Sequence, residues 1–185
     1  RPNYSIISEE KGSEDNKDKK NIWIIDPIDG TLNFLHGIPH FAISIALKSD
    51  NEIVSGLIFD PIKNEMFFAE KNNGAFYNNH RIRVSEKNDI KDCLFVTDRN
   101  SKKQFDFQYR RSGSAALDMA YVASGRYDGF FQHELKIWDI AAGIIIIKEA
   151  GGIINDIDLS QTNNLDVIAS SPNIHEKMLE KIDNL

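Results

Sequence analysis

A layered α/β fold is what this sequence predicts, on three observations. An apolar run of β type, IWII at 22–25, gives way at once to a turn at Asp26-Pro27. Short β-type runs separated by turn signals then follow as far as residue 97, and beyond residue 112 helical patterns alternate with short strands. A chain of 185 residues holds one substantial core and is too short for two ordinary domains. The expectation is a single domain over 1–185, β-rich through about residue 109 and alternating from 110 onward.

Residues 1–8 suggest a short extended lead-in, and the charged run 9–21 (EEKGSEDNKDKKN) suggests a solvated loop. The strand at 22–25 is expected to be buried on both faces and to end at Pro27, which cannot continue a central strand. Further strands are expected at 41–48, 53–59, 66–70, 75–77, 81–84 and 93–97, as one antiparallel run. The turns between them are signalled by Ser49-Asp50-Asn51, Asp60-Pro61, Asn72-Asn73-Gly74 and Asn78-Asn79. Residues 113–124 form a small-residue helix stopped by Gly125, and 129–132 a strand. A helix at 138–149 closes on Gly151-Gly152, strands follow at 153–157 and 166–170, and a last helix spans 172–183 with Pro172 in its first turn.

Composition narrows the function. The 41% apolar and 27% charged shares are those of a soluble globular protein, and a net charge of −6 disfavours a general nucleic-acid or anionic-membrane partner. The single cysteine, Cys93, rules out an intrachain disulfide and reads as a small core residue. No apolar run reaches the roughly 18–20 residues of a membrane span, and the first residues lack signal-peptide character, so a cytoplasmic location is expected.

The sharpest feature is DPIDGT at 26–31. Asp26 and Asp29 stand three residues apart at a strand end, where α/β proteins place ligands, in a turn set by Pro27 and Gly30. Hard oxygen donors on a rigid turn suit Mg²⁺, and exposed N–H groups beside Gly30 suit a phosphate. Both aspartates are equally open to being turn caps. Two other acidic positions bear on the choice. Glu9 and Glu10 follow the apolar pair Ile6-Ile7, and Asp139 opens an apolar helix, where an aspartate by itself is ordinarily a cap. No GxSxG elbow is present, and the five histidines lack metal-ligand spacing.

These residues carry a resemblance. WIIDPIDGT with NFLHGIPHFAISIAL after it, WDIAAG at 138–143 with EAGG at 149–152, the stretch RRSGSAALDMAYVASGRYDGFF at 110–131 and SEE at 8–10 are similar to the inositol monophosphatase family, bacterial branch. The resemblance runs from about Ser5 to the C-terminus. It implies an αβαβα sandwich of the inositol monophosphatase and fructose-1,6-bisphosphatase type, commonly a homodimer and lithium-sensitive. It implies Glu9, Asp26, Asp29, Asp139 and the Ile28 carbonyl as ligands of two or three Mg²⁺. It implies Gly30 and Thr31 on the phosphate, with the Thr31 hydroxyl orienting the attacking water. Gly113, Ser114 and Ala115 would line the alcohol side, Asp139 would also meet a substrate hydroxyl, and Gln132 stands where the family often has Glu.

The reaction so implied is hydrolysis of a small phosphate ester, myo-inositol 1-phosphate first among them, by a metal-activated water without a covalent intermediate. Alternatives are a fructose-1,6-bisphosphatase or nucleotide 3′-phosphatase on the same scaffold, or a non-catalytic regulatory member. The family also has an N-terminal helical region that supplies a further aspartate and a lysine, without counterparts before Glu9. The stretch Asp98–Tyr109 is shorter than the resemblance implies. The N-terminal region and a loop near 98–109 are therefore expected to be missing from the sequence as given.

Overall fold

A computed structural model of the protein describes residues 1–98 and 106–183. Its first half folds from β1 (Tyr4–Ser8), β2 (Gly12–Glu14), β3 (Asp18–Asp29), a short helix α1 (Thr31–Leu35), β4 (Ala42–Ser49), β5 (Glu52–Asp60), β6 (Glu65–Glu70), β7 (Gly74–Tyr77) and β8 (His80–Arg81). The eight strands make one sheet in the order β2-β1-β3-β4-β5-β6-β7-β8. From β3 onward the neighbours are antiparallel, while β1 runs parallel to β3. The asparagine-rich turns do what their chemistry allows. Asp50 and Asn51 have φ of 47° and 65°, and Asn78 and Asn79 have 44° and 68°, the left-handed pair that a two-residue hairpin needs.

The second half supplies β9 (Leu94–Val96), β10 (Gln108–Arg110), α2 (Ala115–Ala123), β11 (Gly129–Leu135), α3 (Ile137–Glu149), β12 (Ile153–Ile154), β13 (Leu165–Ser170) and α4 (His175–Asp183). Its five strands form a separate sheet, β10-β9-β11-β13-β12, with β9 parallel to both β10 and β11. Helices α2 and α3 are packed between the two sheets. One continuous core joins Ile24, Ile58 and Phe67 of the first sheet, Leu117 and Ile146 of the helices, and Phe130 and Val167 of the second sheet. On the far face of the second sheet, Phe95 and Phe131 pack against Ile174, Met178 and Ile182 of the C-terminal helical segment. Among the described residues the layers thus run β, α, β, α, in the order of an αβαβα sandwich.

Close approach between layers rests on glycine. A Cβ on Gly56 of β5 would lie 2.7 Å from the Ala142 carbonyl oxygen of α3. One on Gly143 of α3 would lie 2.6 Å from Met119 Sδ of α2. The small residues of these helices set how deeply the helical layer sits.

Several expectations are corrected. Residues 9–21 are not wholly loop: β2 forms there and β3 begins at Asp18. These are polar strands at or near a sheet edge, where burial is not required. Strand β3 does not stop at Pro27 but runs on to Asp29, because the register against β4 shifts between Asp26 and Asp29 and the proline sits in that bulge. Nor is 22–25 buried on both faces. Ile24 is 1% exposed, while Trp23 and Ile25 are only half-buried. They share a face with Ile45, Leu47, Leu57 and Phe68, all half-buried, as the cross-strand register dictates. The strand at 93–97 leaves the antiparallel run and joins the second sheet. Only His80–Arg81 and Ile153–Ile154 are strand where 81–84 and 153–157 were expected, and residues 172–174 form a 3₁₀ turn ahead of α4. Within Asp98–Tyr109, residues 99–105 lie outside the described residues.

Candidate metal centre and active site

Three carboxylates from two distant elements, β3 and α3, converge. Each of Asp26, Asp29 and Asp139 offers an oxygen atom, and these lie within 4.8 Å of one another. Asp26 and Asp29 bracket the β3 bulge, and Asp139 comes from the first turn of α3. Asp26 and Asp29 are 2% and 6% exposed. Local hydrogen bonds aim each group. Asp26 Oδ1 accepts the Ile28 N–H at 2.9 Å, and Asp139 Oδ2 accepts the Lys136 N–H at 2.8 Å. Asp29 Oδ2 accepts the Ala116 N–H at 3.1 Å and the Ser114 hydroxyl. Asp139 is therefore a helix cap and a member of the cluster at once.

Glu9 arrives through strand pairing. Ser8 is opposite Ile25 in the parallel β1–β3 pair, and the Glu9 N–H donates to the Ile25 carbonyl at 3.3 Å, which leaves Glu9 beside Asp26. Its side chain is exposed, and its charge and hydrogen bond act on Asp26.

The electrostatics follow from this crowding. Burial first, then repulsion from Glu9 and Asp139, pushes the Asp26 carboxyl up to about 7. Burial lifts Asp139 to about 6, with Glu9 adding to it and the Lys136 N–H opposing. Asp29 is held well above the usual carboxylate range by burial, against the stabilising bond from Ser114. Like charges crowded in a desolvated pocket call for a cation.

The turn beyond them is shaped for a close neighbour. Gly30 has φ of 87°, and a Cβ on it would lie 3.2 Å from both the Gly113 and His40 carbonyl oxygens. Thr31, exposed, donates its hydroxyl to the Ile28 carbonyl at 2.9 Å.

Comparison with known proteins identifies this arrangement. The model of the inositol monophosphatase family matches residues 1–185. An inositol-1-monophosphatase of Mesorhizobium japonicum is 40% identical over 199 residues, covering 98% of this chain and 75% of that protein. A protein of Haemophilus influenzae named Nus factor SuhB is 42% identical, covering 98% of this chain and 74% of its own length. The crystal structure of extragenic suppressor protein suhB from Bartonella henselae superposes with a TM-score of 0.87 at 41% identity, over 96% of this chain and 75% of that one. The chain belongs to the inositol monophosphatase family.

That family consists of metal-dependent phosphatases, and the chain is an enzyme of this kind, an inositol-monophosphatase-like phosphoric monoester hydrolase. The donor set fits a hard divalent cation. It is all oxygen, buried at Asp26 and Asp29 and half-buried at Asp139, and destabilised by its own charge.

The other residues singled out from the sequence lie as follows. Gly113 is exposed, with φ of 80°, and its N–H donates to the Asp98 carboxylate. Ser114 is 1% exposed, caps α2 by accepting the Leu117 N–H at 3.3 Å, and is bonded to Asp29. Ala115 is buried in the first turn of α2. Gln132 stands in β11, just before a register shift against β13, with its Oε1 buried and unpartnered among the described residues.

Sequence reasoning missed the polar scaffold around this site. Asn33 of α1, 8% exposed, donates from Nδ2 to the His40 and Ser112 carbonyls, each at 2.8 Å. Asp118, fully buried on α2, accepts the Ser112 hydroxyl at 2.7 Å. In an amphipathic pattern Asp118 is an interruption, and that is the only signal the sequence offered.

Proposed function

We propose that the protein catalyses Mg²⁺-dependent hydrolysis of a polyol or sugar phosphate monoester, with myo-inositol 1-phosphate as the foremost substrate. The observation that carries this reading is the convergence of Asp26 and Asp29 of β3 with Asp139 of α3, which is remote from them in sequence. These three, with Glu9 and the Ile28 carbonyl, would hold two or three Mg²⁺. Bound there, the cations supply charge neutralisation for the phosphoryl group and its leaving oxygen, and a lowered pKa for water.

The chain's own groups do the positioning. The backbone N–H groups of Gly30 and Thr31 hold the phosphate, and the Thr31 hydroxyl orients the attacking water. Gly113–Ala115 and Gln132 face the alcohol, and Asp139 reaches a substrate hydroxyl as well as metal. Preorganised donors on a rigid bulge cost little reorganisation when charge develops. The whole of 1–185 acts as one phosphatase domain in the cytoplasm. Its association as a homodimer is supported by the exposed apolar cluster on and after α1, where Leu32 is 70% and Leu35 73% exposed.

The test is phosphate release across a panel. Myo-inositol 1-phosphate, a sugar monophosphate, fructose 1,6-bisphosphate and a nucleoside 3′-phosphate would each be assayed with Mg²⁺. Preference for the monophosphates upholds the reading, and turnover of the bisphosphate or the 3′-nucleotide alone replaces it. A second reading, a regulatory member without turnover, is favoured by the name Nus factor carried by the Haemophilus influenzae relative. It requires that a folded protein hydrolyse none of the panel.

A further inference from the structure

The acidic turn and the loop before α2 meet along a narrow seam. On one side lie Gly30 and the segment that returns through His40, and on the other the backbone of Ser112–Ser114. The approach is tight: a Cβ on Gly30 would lie 3.2 Å from the Gly113 carbonyl oxygen, and one on Gly113 would lie 3.0 Å from the Asn33 side-chain Nδ2. Two side chains cross the seam: Asp29 accepts the Ser114 hydroxyl and the Ala116 N–H at the start of α2, and Asn33 reaches Ser112. Asn33 gives one N–H to the His40 carbonyl and the other to the Ser112 carbonyl, each at 2.8 Å. The Asn33 backbone carbonyl accepts the Ile38 N–H at 2.8 Å, which fixes the loop on the near side. The far side is held from below, because the Ser112 hydroxyl donates to Asp118 and accepts the Ser114 N–H at 3.2 Å.

We propose that the Asn33 carboxamide is the latch that sets the spacing between the Gly30–Thr31 turn and the Ser112–Ala115 loop. In the functional reading above, on which this inference rests, the turn takes the phosphate and the loop faces the alcohol. The latch therefore fixes how far apart the two ends of the substrate are gripped. Asn33 is a positioning residue: it touches neither the acidic cluster nor the reacting atoms. Two carbonyl oxygens facing one group require two N–H donors, and of the residues of this size only asparagine supplies both. An aspartate there would fit the space and repel both carbonyls.

The experiment compares Asn33→Asp and Asn33→Ala with the wild type. Hydrogen exchange of the segment 110–117, measured without substrate, is expected to quicken about tenfold or more in both variants, and more in Asn33→Asp. Mg²⁺ affinity is expected to fall by no more than about threefold, because the Ser114 and Ala116 bonds to Asp29 remain in place while the loop around them loosens. The preference for myo-inositol 1-phosphate over p-nitrophenyl phosphate, as a ratio of kcat/KM, is expected to fall about tenfold or more, because loss of alignment penalises the bulkier alcohol. Unchanged exchange in both variants overturns the latch. So does greater damage from Asn33→Ala than from the isosteric Asn33→Asp, with equal losses on both esters, which is the signature of packing alone. If the wild type hydrolyses no phosphomonoester, the functional reading falls, and the exchange rates by themselves uphold or overturn the latch.

Discussion

Asp26→Asn reverses sign between metal-free and metal-loaded protein. In the folded chain without cations the Asp26 carboxyl is raised from 3.8 to about 7, chiefly by burial and then by Glu9 and Asp139. A raised carboxyl pKa means that the folded state keeps a proton which the unfolded state has released. Stability therefore falls as pH rises from about 4 to about 7, and the whole penalty stands above that window. A shift of about three units corresponds to about 4 kcal/mol at face value, and sharing of protons within the cluster reduces it to about 1–3 kcal/mol. Asparagine removes that penalty and keeps an oxygen for the Ile28 N–H at 2.9 Å. In chelator near pH 8, Asp26→Asn is expected to be the more stable by about 1–3 kcal/mol, a rise of roughly 3–10 °C in Tm for a domain of this size. The difference should shrink as pH falls toward about 5. With saturating Mg²⁺ the order inverts, because only the wild type gains the full stabilisation of ligand binding. Thermal unfolding monitored by circular dichroism, in chelator and in Mg²⁺, reads both. A variant less stable than the wild type in chelator near pH 8 would mean that the Asp26 carboxylate is not a burden on the metal-free fold.

Three further outcomes are expected. Ser114→Ala removes both the α2 cap and the hydroxyl that holds Asp29, so it should cost about 1–2 kcal/mol in urea unfolding and weaken Mg²⁺ binding measured by calorimetry. A loss of stability with unchanged Mg²⁺ affinity would separate the two roles and contradict the second. Mg²⁺ affinity itself should fall as pH drops through about 7 and then about 6, where Asp26 and Asp139 take up protons that compete with the cation; a flat profile over that range would count against their assignment as ligands. Gly143→Ala drives a methyl into Met119, with Sδ at 2.6 Å and Cβ at 2.7 Å, and should cost about 1–3 kcal/mol by denaturant midpoint, whereas a change under about 0.5 kcal/mol would show that α2 and α3 part easily.

What the sequence made legible is uneven, and the reasons are physical. The central strands and the two long helices announced themselves because burial on one face or all round leaves a periodic apolar record, as in FAISIALK and IIIIK. The acidic cluster was legible through the resemblance: on the residues alone Asp26 and Asp29 were equally open to capping a turn, and Asp139 read as a helix cap. Strand β2 and the start of β3 were illegible because polar edge strands satisfy their backbones without burying side chains. Helix α1 escaped because Leu32 and Leu35 face solvent and no apolar stripe forms over five residues. The bulge that carries β3 past Pro27 is a property of pairing with β4, which no local pattern contains. Asn33 was invisible for the same reason, since its partner Ser112 is 79 residues away.

The measurement that tests the central claim most directly is phosphate release from myo-inositol 1-phosphate by the wild type and by Asp26→Asn, each with and without Mg²⁺. Release is expected to require Mg²⁺ and to be lost in the variant, while the variant remains folded. Release that persists in chelator, or that survives intact in Asp26→Asn, would contradict that claim.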